Sequence, residues 1–355
     1  MRRKRGRWIG AWFDLARSGA RAAEQLSRVG GRASASRGKA LRKAATQLAS
    51  GVVTPAAPAP ATAKVRGGGR WVEGRWGLGP LAMRHYRLYL PPGASLRRPL
   101  PLLMLLHGCG QDAASFAIAT GVAAVARAAG FAALLPEQAR EANPQRCWNW
   151  FRGEAVLRTE EATLMAIVDH VCNLHPLRRD RLFVLGLSAG GAMAASLALA
   201  YPGRIVAAGS HSGAVPCAAS NSTEGLQAMR GRRAPDLARA RRQLAGKLPP
   251  PLILIHGESD HSVAPASAEA TAQLWRELAA AQRLKVSAPR IARSGRRHPA
   301  TVADWGCAGR PYLRLVRIAG LGHAWSGGHR RQAFSDPQGP DALKLAWRFF
   351  LRCVD

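Results

Sequence analysis

The sequence predicts an α/β fold with a mostly parallel central sheet and helices on both faces. Two observations carry this. Unbroken runs of large or β-branched apolar residues, at 101–107, at 182–187 and from Pro251 to Ile255, have the length of single strands and the composition of strands covered on both sides. Stretches of helical periodicity alternate with them, as in a layered α/β chain. A length of 355 residues gives ample capacity for one large core.

Composition divides the chain. The formal net charge is +31, and residues 1–70 hold sixteen Lys or Arg against two acids. Trp8, Trp12, Leu15, Ala22, Leu26 and Val29 recur at helical spacing with arginines between them. That pattern suits a membrane, a granule or an anionic polymer surface. Charge of this kind gives no specific nucleic-acid recognition. A transit peptide and a solvated tail are the other readings of this leader. A secretory signal is not expected, because Asp14 interrupts the short apolar run 8–13. No stretch reaches the ~18 apolar residues of a membrane span. Six cysteines in a chain this long do not form a disulfide scaffold, and the absence of a C-x-x-C pair argues against a structural zinc; no metal and no cofactor are expected. The organisation read is a basic leader at 1–50, a Pro/Ala/Gly linker at 51–69 and a catalytic domain at 70–355.

From residue 71 the elements follow in order. Residues 71–76 and Arg84–Leu90 read as two aromatic-rich strands joined through a turn at 77–80. The strand at 101–107 runs into Gly108-Cys109-Gly110-Gln111, then come a helix at 113–129 and a strand at 131–135. The polar, aromatic loop 137–151 holds Trp148 and Trp150, which either line a cleft or cap the core. A helix at 159–175 leads to the strand at 182–187. After a strand at 205–210, an arginine-rich excursion at 219–247 precedes the strand from Pro251. A helix at 267–284, a last strand at Arg310–Ile318 and a closing helix at 340–351 complete the pattern.

Chemistry concentrates at the ends of these strands. Gly186-Leu187-Ser188-Ala189-Gly190 fits G-x-S-x-G between a strand and an alanine-rich helix, the context in which a sharp turn exposes a nucleophilic serine. Ser188 is therefore the candidate nucleophile. The backbone amides of Cys109 and Ala189 are the candidate oxyanion donors. Asp260, in the acidic loop after its strand, is placed to orient a histidine, with Glu258 as the rival carboxylate. His323, in the loop after the last strand, is the candidate base. His211 lies too early for the order Ser, Asp, His and is assigned a structural hydrogen bond.

Several motifs in sequence, at 107–111, 147–151, 186–191, 256–260 with Val263 and Pro265, 322–328 and 336–341, resemble the polyhydroxybutyrate depolymerase family of esterases. The resemblance covers residue 71 to the end of the chain. It implies an α/β-hydrolase fold, no metal and a Ser188–Asp260–His323 triad. Gln111, Trp148, Asn149, Trp150 and Trp325, carried in these motifs, are the candidate substrate contacts. Cys109 and Cys147 fall in two of them, each after a buried strand, which leaves two readings: a disulfide between them, or two free buried thiols, the ordinary outcome in a reducing compartment.

The reading is a serine-dependent ester hydrolase acting through an acyl-enzyme on short-chain or hydroxyalkanoate-type oligoesters, with the ester or polyester as its partner. One alternative is a feruloyl or acetyl esterase acting on plant polymers. The other is a surface-docking protein with a vestigial hydrolase domain. The resemblance implies an extracellular location; the leader, without a secretory signal, leaves a cytoplasmic, surface- or granule-associated one as the alternative.

Overall fold

The protein is described here from a computed structural model over residues 64–65, 68–77, 83–293, 295, 297–307 and 309–354. The chain divides into two units, Met1–Pro58 and Ala59–Asp355, and every described residue belongs to the second. The basic leader at 1–50 and its Trp8/Trp12/Leu15 stripe lie outside the described residues.

Strands β1 (Lys64–Val65), β2 (Gly69–Trp76) and β3 (Arg84–Leu90) open one edge of the sheet, paired antiparallel in register Val65↔Gly69 and Val72↔Leu88. The end of the stretch read as linker is thus already strand. Next come β4 (Leu100–Leu106), helices α1 (Ala113–Thr120) and α2 (Val122–Ala129), and β5 (Ala132–Glu137). The single helix expected at 113–129 is broken at Gly121. Its φ of 62° ends α1, and its amide bonds back to the Ile118 carbonyl. Helix α3 (Glu154–Leu174) starts a turn earlier than its apolar periodicity suggests, with Gly153 as its N-cap.

Strand β6 (Leu177–Leu187), α4 (Ala189–Ala200), β7 (Ile205–His211), α5 (Ser222–Met229), α6 (Leu237–Leu244), β8 (Leu252–Gly257) and α7 (Ala266–Leu278) follow. Helix α7 stops six residues before the sequence reading had it end. Residues after it turn through a short 3-10 segment (Ala280–Gln282) into three strands absent from that reading: β9 (Lys285–Val286), β10 (Arg290–Ala292) and β11 (Ala300–Cys307). Strand β12 (Arg310–Ile318), the two-residue strands β13 (Trp325–Ser326) and β14 (Ser335–Asp336), and α8 (Ala342–Val354) end the chain.

The sheet order is β1-β2-β3-β5-β4-β6-β7-β8-β12-β11-β10, with β9 beside β11. Strands β5 through β12 in this order run parallel, and both flanks are antiparallel. Because strand faces alternate, Leu103 and Leu105 join one core cluster with Phe116, Val122, Trp347 and Phe350 of α1, α2 and α8. Leu102 and Met104, equally buried, point to the face that α3, α4 and α7 cover. The chain steps from β4 to β5 on one side and from β6 to β7 on the other. Strands β4 and β6 therefore flank the topological switch point, where the loops leaving their C-terminal ends diverge and open a crevice.

Candidate active site

The turn from β6 into α4 is built from two glycines that have no room for a side chain. A Cβ on Gly186 would lie 2.1 Å from the Gly190 carbonyl oxygen, and one on Gly190 would lie 2.1 Å from the Leu106 carbonyl oxygen. This close approach lets the helix start directly against β4. Ser188 at the apex has φ 57° and ψ −117°, a conformation rarely adopted by a residue with a side chain. Its amide donates to the His211 carbonyl at 2.8 Å, which ties the strained apex to the end of β7.

Two further loops converge on it. The loop after β8 is bonded to the loop after β12, Glu258 N to the Ile318 carbonyl at 2.9 Å and Ser259 N to the Leu321 carbonyl at 3.0 Å. That pairing brings Asp260 to His323. Asp260 Oδ2 stands 2.8 Å from His323 Nδ1, and His323 Nε2 stands 2.9 Å from Ser188 Oγ. With Nδ1–H donating to the carboxylate, Nε2 is free to accept the serine proton. Asp260 Oδ1 accepts the Ser262 and Val263 amides, each at 2.9 Å. Burial pushes the Asp260 carboxyl pKa up, but the His256 and His323 contacts and the Val263 amide outweigh it and hold the group well below the usual carboxylate range. Glu258, the rival, is exposed.

His256 was not singled out as a site residue, although it begins the motif that ends in Asp260. Its Nε2 lies 3.0 Å from the Val263 carbonyl and 3.4 Å from Asp260 Oδ2, so a second imidazole backs the carboxylate. His211 is fully buried and structural. Its Nε2 accepts the Ser326 amide at 3.1 Å, which leaves Nδ1–H to donate to Ser212 Oγ at 3.1 Å. Burial, then the neighbouring His256 and His323, push its pKa down to about 3.

The loop after β4, which carries Cys109, also reaches Ser188: a Cβ on Gly108 would lie 3.5 Å from the Ser188 Cβ. Gln111 fixes this loop, its Oε1 accepting the Gly108 amide at 2.8 Å, and the Gly110 amide donates to the Gln145 carbonyl at 2.8 Å. Cys109 is disulfide-bonded to Cys147, with Cα atoms 4.2 Å apart. The amides of Cys109 and Ala189 make no hydrogen bond among the described residues.

The five residues carried in the motifs as candidate substrate contacts are all buried. Trp148 is fully buried, with its indole N–H donating to the His107 carbonyl at 3.0 Å. Asn149 is buried, its amide bonded to Glu160 Oε2 at 2.5 Å and its side chain to Asn143 at 3.0 Å. Trp150 and Trp325 are buried too, Trp325 against Phe116 and stacked on His211. Gln111 is buried as a loop brace. Of the five, Gln111 and Trp150 are the most open, each 7 % exposed. A groove of about 820 Å³, lined by Arg75, His85, Arg140 and Arg146 among others, includes none of the triad. Among the described residues no group of three His, Cys, Asp or Glu gathers as a metal site, and no helix is long and apolar enough to cross a membrane.

A mostly parallel sheet with Ser188 at the switch point, and with histidine and aspartate brought to it from later strand ends, is the α/β-hydrolase fold. The chain belongs to the Esterase PHB depolymerase family, whose model matches residues 84–295 and so takes in Ser188 and Asp260. It is 31 % identical over 181 residues to poly(3-hydroxyalkanoate) depolymerase C of Paucimonas lemoignei, covering 49 % of this chain and 44 % of that protein. It is 27 % identical over 141 residues to feruloyl esterase B of Neurospora crassa, covering 39 % of this chain and 46 % of that one. The chain thus spans less than half the length of these curated relatives. The fold matches acetyl xylan esterase from Aspergillus awamori with a TM-score of 0.62 at 17 % identity, over 79 % of this chain and 98 % of that one. Glucuronoyl esterase from Solibacter usitatus matches with a TM-score of 0.52 at 14 % identity, over 85 % and 88 %.

Proposed function

We propose that this protein hydrolyses carboxylic esters through an acyl-enzyme on Ser188. The observation that carries the reading is the unbroken chain of contacts from Ser188 Oγ through His323 to Asp260, 2.9 Å and 2.8 Å long. As Ser188 Oγ attacks the ester carbonyl, its proton passes to His323 Nε2. The tetrahedral oxyanion is held by the Cys109 and Ala189 amides. The C–O bond to the alcohol breaks, and the alcohol leaves with the proton from His323. Water then gives a proton to the same nitrogen and attacks the acyl carbon, releasing the acid and restoring the serine. Asp260 keeps the imidazole in the required tautomer throughout and stabilises its charged form.

The substrate class proposed is short-chain or hydroxyalkanoate-type oligoesters, by analogy with the depolymerase relative. The feruloyl esterase relative supports the second reading, aromatic or acetyl esters of plant polymers. An extracellular setting fits both substrates. A role for residues 1–50 in docking the catalytic unit on a membrane, granule or anionic polymer is a separate proposal, which rests on their charge. The test is a panel of p-nitrophenyl esters from acetyl to medium chain, with feruloyl esters and hydroxybutyrate oligomers, run on wild type and Ser188→Ala. Turnover that survives in a folded Ser188→Ala protein sinks the mechanism.

A further inference from the structure

Among the described residues two large aromatic side chains stand exposed. Trp76, 40 % exposed, lies stacked on His170. Phe334, 52 % exposed, meets His323 edge-on, with ring centroids 6.5 Å apart. Trp148, Trp150 and Trp325 around the same site are all interior. Burying a phenyl ring is among the larger gains open to a folding chain, so a ring held in water beside a reacting base calls for a cause.

The backbone keeps it there. Phe334 has φ 54°, which bulky residues seldom adopt. Its carbonyl accepts the Trp325 amide at 2.7 Å, and the next two residues pair with β13 in register Trp325↔Ser335 and Ser326↔Asp336. The same segment is fastened to α1 by the His329 amide on the Ala119 carbonyl at 2.9 Å. Ile118, adjacent to that anchor, is itself 50 % exposed.

Proton transfer decides which part of an ester meets this ring. The carbonyl oxygen turns toward the Cys109 and Ala189 amides, whereas the departing oxygen must reach His323 Nε2 to take its proton. The alcohol portion therefore leaves along the imidazole, on the flank where Phe334 stands. We propose that Phe334 is a specificity-determining contact for the alcohol portion, which selects esters of apolar or aromatic alcohols over short ones. The inference rests on the ester-hydrolase reading and deepens it.

The test uses two series followed by acid release: methyl, butyl, hexyl and benzyl butyrate, and methyl acetate, butyrate and hexanoate. In Phe334→Ala the hexyl-to-methyl ratio of kcat/KM falls about tenfold, carried by KM, as loss of an apolar contact common to ground and transition states requires. The hexanoate-to-acetate ratio keeps within about twofold of wild type, since the acyl chain lies on the other side. Phe334→Asn removes the ring while suiting the backbone conformation, so it folds if the alanine variant does not, and it shows the same loss. An unchanged alcohol ratio, an equal loss across both series, or a loss confined to the acyl series overturns the assignment. A wild type inactive on every member of both series overturns the ester-hydrolase reading instead.

Discussion

Cys109 and Cys147, 38 residues apart in sequence, are bonded with their Cα atoms 4.2 Å apart. The bond ties the loop that presents the Cys109 amide to the segment that carries Trp148 and Asn149. Both ends are then gripped from below. Trp148 bonds the His107 carbonyl, and Glu160 of α3 accepts the Asn149 amide and the Gln138 side chain. The proposed oxyanion donor is thus fixed by a covalent tie, a turn brace in Gln111 and a buried carboxylate.

Replacing both cysteines, Cys109→Ser with Cys147→Ser, is expected to lower stability by about 3–4 kcal/mol, the chain-entropy value for a loop of this size. Urea denaturation measures it. A looser Cys109 amide should also lower kcat, by up to ~100-fold if the donor is effectively lost. An unchanged urea midpoint in the double variant would contradict the stabilising role of the bond.

Asp260→Asn is expected to lower kcat/KM by about 10,000-fold, because an amide nitrogen facing His323 Nδ1 favours the wrong tautomer. Glu258→Gln, at an exposed position, should leave the melting temperature within about 1–2 °C of wild type and turnover near that of wild type. The reverse ranking of the two variants would move the acid role to Glu258.

His211 gives the stability a specific acid dependence. Its folded pKa is lowered from 6.5 to about 3, so between those values the unfolded chain binds the proton and the folded one does not. Stability on this account is fully present above pH 6.5 and declines as pH falls toward 3. Glu161, raised by burial from 4.5 to about 7, works in the opposite sense, stabilising the fold as pH falls from 7 to 4.5. Comparing wild type with His211→Gln isolates the histidine. Between pH 6.5 and pH 4 the wild type should lose about 3 kcal/mol more than the variant. Equal losses in urea titrations at the two pH values would show that the imidazole is not kept neutral.

The sequence made the parallel core legible because strands buried on both faces must be unbroken apolar runs, as 101–106 and 182–187 are. It made Ser188 legible because two glycines and a strand-to-helix change are needed to build that turn. Asp260 and His323 were readable only as residues at strand ends, in the right order. Their meeting depends on hydrogen bonds between the loops after β8 and β12, which no local pattern records. Strands β9 to β11 were missed because much of that stretch is polar, and the described parts of β9 and β10 are wholly exposed. The burial of the tryptophans at 148, 150 and 325 was not legible, because an aromatic residue in a loop motif reads equally well as lining or as packing. Phe334 gave no signal at all, as its exposure comes from the β13–β14 pairing.

The final prediction sets burial against distance. Glu154 and Arg158 on α3 approach to 2.5 Å, closer than Glu160 and Arg84 at 3.2 Å. The first pair is half exposed, so water screens it and the expected loss on Glu154→Ala is less than about 1 kcal/mol. The second pair is 3 % exposed at both ends, and Glu160 also accepts the Asn149 amide and the Gln138 side chain. Burial raises the Glu160 pKa, and the Gln138, Asn149 and Arg84 contacts oppose the rise. Removing the carboxylate takes the Arg84 guanidinium's Glu160 contact and the acceptor of the buried Asn149 amide together, so Glu160→Ala should lose about 3–5 kcal/mol. Glu160→Gln, which keeps one acceptor oxygen for the Asn149 amide but gives up the charge, should fall between the two. Urea midpoints for the three variants give the ranking, and a Glu154→Ala loss as large as that of Glu160→Ala would refute it.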